Sequence, residues 1–385
     1  MEAEVVIKIA DNIISPLGST TAENYQAVLS GRSELRFYEG LWGLPEPCVL
    51  SLISRQQYPT HDGHTLFEEL AIRSASSALQ ACGLDPSSPR VQFVISTTKG
   101  NVHLLGEQPS SYEADRVLLP VAAQVIADHF RNPLPPVVVS NACTSGLTAQ
   151  IVAMRLLQQR HCDYAVVIGA DIQSPFIVSG FQSFKALSPT PCRPYDQGRT
   201  GLNLGEAAAT MILKRVPAGH ADGWQLVRGA VRNDANHISG PSRTGEGSYQ
   251  ALKAVLQDCD PARLAFVNAH GTATLYNDEM ESIAITRAGL SATPVNSLKG
   301  YYGHTMGAAG VLETLLSMCA LDHHTILPTR GFQTLGVSHP ILVTTTPQST
   351  SLNSFVKLLS GFGGCNAALL FRSKNEEFHN NTLTH

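Results

Sequence analysis

The chain has 385 residues, 43% of them hydrophobic and 15% charged, with a formal charge of -4 at pH 7. That composition excludes a basic nucleic-acid-binding domain and a disordered chain, and the length suits about two to three domains or one large α/β unit built from two halves. Polar residues interrupt even the apolar stretch Val137–Leu157, and the apolar run in Met1–Ala10 is too short for a signal-peptide core, so no membrane association and a cytoplasmic location are expected.

In chain order, Glu4–Ala10 reads as a strand and Thr20–Leu29 as a helix that Thr20 or Thr21 caps. Residues 38–60 are rich in Pro and Gly and carry no periodic pattern. Over Gly63–Ala81 the residues Leu66, Leu70, Ala71, Ala75, Ala78 and Leu79 recur at helical spacing, and Gly83 stops the helix. Val91–Ser96 is then a strand, Thr97–Ser111 a loop, Leu118–Phe130 a helix and Asn132–Pro136 a Pro-rich break. A β-branched strand begins at Val137, a turn of small residues carries Cys143, and Gly146 opens a helix through Gln159. Tyr164–Gly169 has the near-continuous apolar character of a buried parallel strand, and Ala207–Val216 closes the first half.

Pro217–Gly223 is the internal boundary, separating residues 1–216 from 217–385. The second half repeats the rhythm: strand Leu226–Arg232, helix Tyr249–Cys259, strand Leu264–Ala269, helix Asp278–Ala288, strand Thr293–Asn296 and helix His304–Leu321. Strands are expected at Ile341–Thr345, Ser354–Leu359 and Ala367–Phe371, and the polar tail Lys374–His385 is expected to fray. In each half a turn with reactive side chains follows a strand and launches a long helix, which argues for an α/β layered fold.

The eight cysteines, at 48, 82, 143, 162, 192, 259, 319 and 365, form no C-x-x-C pair, so free thiols are expected rather than disulfides or a metal site. A lone cysteine more often packs than reacts. Cys143, however, sits at a strand-to-helix turn, where unpaired backbone N–H groups create a positive field that favours thiolate. His270 follows a strand in Asn268-Ala-His-Gly-Thr-Ala-Thr274, with Gly271 allowing a sharp turn beside it. Lys299 and His304 share the glycine-rich stretch Asn296-Ser-Leu-Lys-Gly-Tyr-Tyr-Gly-His304, which points to a buried polar site. Ser360-Gly-Phe-Gly-Gly-Cys-Asn366 lacks the Lys-Ser/Thr of a phosphate loop. Its glycines instead let a backbone N–H approach a reacting carbonyl, as one donor of an oxyanion hole.

In combination, Ala142-Cys-Thr-Ser-Gly146, His270-Gly-Thr-Ala-Thr274, Lys299 with Gly303-His304 and Gly307-Ala-Ala-Gly310, and Gly361-Phe-Gly-Gly364 with Asn366 resemble the β-ketoacyl-acyl carrier protein synthases. These are the elongating Cys-His-His condensing enzymes of the thiolase superfamily, and the resemblance runs from the opening strand to Phe371. It implies a thiolase-like fold of two similar halves in five layers, α-β-α-β-α, with the nucleophile in 1–216 and the His/Lys/His turns in 217–385. Cys143 would accept an acyl group, malonyl-acyl carrier protein would lose carbon dioxide, and His270 and His304 would hold the enolate. The backbone N–H groups of Cys143 and Phe362 would form the oxyanion hole, Phe362 also acting as a gate, and Glu313 would pair with Lys299. Contacts to the pantetheine arm are implied for Thr272, Thr274, Asn366 and the loop residues Asp234 and His237. No cofactor or metal is implied, because phosphopantetheine on acyl carrier protein brings the substrates. The expected partners are that carrier and either a second copy or a chain-length-factor-like subunit.

The chain departs from the family pattern in short segments at 35–62 and 98–116, in Cys365 and Thr200 where threonine and aspartate are usual, and in Leu275-Tyr-Asn277. The wording Lys299-Gly-Tyr-Tyr-Gly-His304 is more similar to synthases of aryl-polyene or flexirubin-type pigment pathways than to those of housekeeping fatty-acid synthesis. Two alternatives are a thiolase-type CoA acyltransferase with Cys365 as its base, and a non-catalytic partner subunit. Retention of Cys143 argues against the latter.

Overall fold

The computed structural model describes residues 3–61, 63–106 and 111–373. The predicted fraying of Lys374–His385 lies outside the described residues, as does part of the predicted loop Thr97–Ser111.

Two sets of five strands carry the same topology. In the first half the order across the sheet is Val137–Val139, Val91–Ser96, Tyr164–Asp171, Ala207–Pro217 and Glu4–Ile14. In the second it is Pro294–Asn296, Phe266–Asn268, Ser354–Gly361, Cys365–Ser373 and Trp224–Asn233, with Leu342–Val343 added outside. Numbered by position in each half, both sets read 3-2-4-5-1. In both, the first two junctions are parallel and the last two antiparallel. The two sets meet where Val6 and Ile7 pair with Leu226 and Gln225.

Alternation along each strand sends side chains to two different cores. In Val91–Ser96, Val94 enters the central core while Phe93 and Ile95 face outward onto Leu70, Ala71 and Ile126. Helices Leu66–Cys82 and Leu119–His129 cover that outer face, helices Glu246–Val255 and Leu275–Arg287 cover the far face of the second sheet, and Ser145–Gln158 and Ala309–Asp322 lie between the sheets. The result is five layers. A central helix must be apolar all round, and Ala309–Asp322 is buried at every position from Ala309 to Met318. Each fully buried Leu there contributes about 1.5–3 kcal/mol.

The two central helices touch backbone to backbone. A Cβ on Gly146 would come within 2.7 Å of the Gly307 carbonyl oxygen, and one on Gly310 would collide with the Leu147 amide. This contact brings the turn before the first helix, which holds Cys143, beside the turn before the second, which holds His304.

Capping accounts for several boundaries: Thr65 and Glu68 form a reciprocal capping box, and Gly83 takes the left-handed conformation after Cys82. Some expectations need correction. His304 does not begin a helix. After one helical turn, Lys299–Tyr302, Gly303 adopts φ 69, and His304 lies extended, its N–H donating to Asn203 O at 2.6 Å. Gly307 is then wedged against Thr97 and Asp171, so the helix starts only at Ala309. Helix Tyr249–Cys259 instead spans Glu246–Val255, launched by Gly245 at φ 63, and Asp278–Ala288 begins earlier, at Leu275. The patternless segment 38–60 contributes to a small sheet of Arg36–Tyr38, Cys48–Ser51 and Leu204–Gly205. Helix Pro175–Ser183, which no periodicity marked, contributes Phe181 to the lining of the cavity described next. Among the described residues, no helix is long and apolar enough to cross a membrane.

Candidate active site

Strand Val137–Val139 ends at a turn in which Ala142 is held at φ 47, and helix Ser145–Gln158 follows directly. A non-glycine residue pays about 1 kcal/mol or more for that conformation, a strain characteristic of a functional turn. The turn is locked by Ser145, whose Oγ accepts from Asn141 N at 2.8 Å and donates to Ala142 O at 2.5 Å. Gly361 packs against it so closely that a Cβ would lie 3.0 Å from Cys143 N.

Cys143, His270 and His304 converge, with one donor atom from each all within 4.8 Å of one another. The two rings meet edge to face at a centroid distance of 5.0 Å. They close the inner end of a cavity of about 440 Å³ lined by Thr272, Thr274, His237, Phe181, Phe184 and Phe362. One thiol and two imidazoles at this spacing also suit a soft divalent ion, which would occupy the sulfur and block its use as a nucleophile.

The electrostatics divide by charge type. Burial pushes both imidazoles well below their usual range, and the Lys299 ammonium pushes them further, so both rings are neutral at pH 7. The N–H of Met306 donates to Nδ1 of His304 at 3.3 Å, which places the ring proton on Nε2; that buried nitrogen has no protein partner. A neutral ring with an unused N–H is a hydrogen-bond donor awaiting an acceptor.

Cys143 corrects an expectation. Burial pushes its thiol up to about 11, although Lys299 and the N–H groups of Phe362 and Cys143, both directed at the sulfur, pull the other way. The field at the turn is present as predicted, yet desolvation of a thiolate outweighs it. Alkylation of Cys143 by iodoacetamide, followed on its peptide by mass spectrometry, is therefore expected to keep accelerating to pH 10. Lys299→Met should slow it about tenfold at pH 9, because removing a cation raises the thiol further. A rate plateau already reached near pH 7 would contradict this.

Behind the rings, Glu313 bonds Nζ of Lys299 at 2.7 Å, as predicted, and also Nζ of Lys357 at 2.6 Å, which the motifs did not reveal. A second support was missed as well. Glu281 accepts from His270 N and Gly271 N, each at 2.7 Å, and Asp278 accepts from Tyr195 N at 2.7 Å and Ala273 N at 3.2 Å. Both acids lie on the buried face of helix Leu275–Arg287, a burial that no local pattern in the sequence announces. Asp171 likewise accepts from Thr97, Thr98 N and Gly307 N, tying the end of strand Val91–Ser96 to the segment after His304.

Not every predicted residue reaches the cavity. Asp234 accepts from Asn236 N and Ser242 N, and Asn366 accepts from Ser248 and Ser360 hydroxyls; neither lines the cavity, and both hold loops beside it. Cys365 donates to Asn141 Oδ1 at 2.9 Å and is absent from the lining, so it does not stand as a second base. Thr272 and Thr274 line the wall with their hydroxyls 2.9 Å apart, and His237 lines it from a loop. The ring of Phe362 is stacked on Phe181 at 5.9 Å and meets Phe184 edge-on at 5.6 Å, a cluster the sequence did not announce.

Comparison with known proteins bears on this arrangement. Residues 62–218 match the β-ketoacyl synthase N-terminal domain and residues 225–333 the β-ketoacyl synthase C-terminal domain. The tetracenomycin polyketide synthase ketoacyl synthase alpha subunit of Streptomyces glaucescens is 31% identical over 366 residues, 84% of each chain. The 3-oxoacyl-[acyl-carrier-protein] synthase 2 of Vibrio cholerae is 28% identical over 421 residues, 97% of this chain and 100% of that one. Among solved structures, one of the ketosynthase ApeO in complex with its chain length factor ApeC from Xenorhabdus doucetiae superposes with a TM-score of 0.84. It is 26% identical and covers 96% of this chain and 98% of its own.

Proposed function

The chain belongs to the β-ketoacyl synthase family, condensing acyltransferases of thiolase-like fold, and on that premise we propose how its residues divide the reaction. The observation that carries the reading is the convergence of one thiol with two neutral imidazoles at the inner end of a cavity, beneath two backbone N–H groups.

An acyl group arrives as a phosphopantetheine thioester on acyl carrier protein, its arm running past Thr272, Thr274 and His237. The Cys143 sulfur attacks the carbonyl, the N–H groups of Cys143 and Phe362 hold the oxyanion, and the pantetheine sulfur leaves. Since Cys143 rests as a thiol, its proton departs as the bond forms and passes to the leaving pantetheine thiolate. Malonyl-carrier protein follows; its C–C bond to the carboxylate breaks, carbon dioxide leaves, and His270 and His304 donate hydrogen bonds to the enolate oxygen. The enolate carbon attacks the acyl-Cys143 carbonyl, the Cys143 thiolate is expelled and takes up a proton from solvent, and a 3-oxoacyl chain longer by two carbons stays on the carrier.

In this division, residues 1–216 supply the nucleophile and 217–385 the imidazoles and Lys299, no added cofactor takes part, and the enzyme works in the cytoplasm. Strand Val137–Val139 is an edge of the sheet, which suits pairing with a second copy or a chain-length-factor-like subunit. The structure of ApeO in complex with its chain length factor supports the second of these partners. The test is to supply acyl- and malonyl-carrier proteins together. Release of carbon dioxide with formation of the extended 3-oxoacyl product is expected, and acyl exchange without carbon dioxide would overturn the reading.

A further inference from the structure

Lys357 is the one charged residue in the otherwise apolar run of strand Ser354–Gly361, and it is fully buried. Besides Glu313 Oε2, its ammonium lies 3.3 Å from each of the carbonyl oxygens of Asn268, Ala269 and Leu358. Asn268 and Ala269 are the residues that lead directly into His270. Behind the imidazoles two ammonium groups thus share Glu313, with one of its oxygens given to each, and a second carboxylate, Glu281, holds the backbone of His270 and Gly271. Without Lys357, Glu313 would pair with Lys299 alone, and Lys299 would be the one ammonium left beside the rings.

We propose that Lys357 is a positioning residue of the condensing site: by taking one Glu313 oxygen it offsets that carboxylate, so that the Lys299 charge still acts on His270 and His304, and it anchors the strand end that delivers His270. The proposal rests on the reading of those imidazoles as neutral donors to an enolate. The groups facing Lys357 are Glu313 from helix Ala309–Asp322, Lys299 from its turn, Glu281 from helix Leu275–Arg287, and the two rings themselves. Its charge adds to burial and Lys299 in holding both rings unprotonated, and burial pushes its own ammonium down to about 8.

The test is a titration of the two rings by NMR on protein carrying isotopically labelled histidine, with signals assigned through His270→Ala and His304→Ala. In Lys357→Met both rings should take up a proton at a pH about one unit or more above wild type. Adding Glu313→Gln, which removes one charge of the opposite sign, should return them toward wild type. A folded Lys357→Met whose rings titrate as in wild type overturns the proposal. If Lys357→Met does not fold, Lys357→Arg and the double variant carry the same comparison: wild-type titration in both supports it, and an upward shift in either overturns it. Ring protonation is read without turnover, so a failure of the condensation reading would show separately, as absent carbon dioxide release with the titrations unchanged.

Discussion

Cys143→Ala is expected to abolish chain extension, lowering product formation by about 10⁴-fold or more while the fold is kept. Among the described residues no other cysteine lines the cavity. Cys365 is turned to Asn141 and does not line the cavity, and the thiol of Cys192 is buried and engaged with the Lys299 carbonyl. A methyl in place of the thiol removes one heavy atom beside a pre-existing cavity, so the thermal unfolding midpoint should change little. Product formation within about tenfold of wild type would mean that acyl transfer bypasses Cys143.

His304→Ala and His270→Ala are expected to separate the two half-reactions. Loading of the acyl group on Cys143 uses the N–H groups of Cys143 and Phe362, which neither change touches. Decarboxylation needs donors at the enolate oxygen, and removing one such donor costs about 10²–10³-fold. Because both rings are held far below the ordinary histidine range, lowering the pH from 8 to 6 should not protonate them. Decarboxylation should therefore show no histidine-type loss near pH 6.5. Lys299→Met removes part of what holds the rings neutral, so any acid loss should move to higher pH. Equal damage to loading and decarboxylation in the histidine variants would instead mark the rings as structural.

The sequence carried much of the site because reactive turns leave a local imprint. Cys143, His270, Lys299 and Phe362 each follow a strand and stand among glycines or small residues, since backbone must approach backbone there; Gly146, Gly310 and Gly361 are each at such a contact. What stayed hidden depends on pairings remote in sequence. Lys357 meets Glu313 across 44 residues, and its only trace was a charge inside an apolar strand. Glu281 and Asp278 read as ordinary helix-surface acids until that helix is docked against His270. The helix pattern after His304 ran on through small residues, whereas wedging of Gly307 against Asp171 delays the helix to Ala309. Cys143 shows the limit of a local electrostatic argument. The turn supplies the favourable field, but the burial that outweighs it is a property of the assembled cavity.

The most direct test of the central claim is a peptide map of wild-type protein after incubation with acyl-acyl carrier protein and no malonyl donor. An acyl mass on the peptide containing Cys143, lost when malonyl-carrier protein is added, is the predicted result. An acyl mass on Cys365, or none on any cysteine while product still forms, would contradict it.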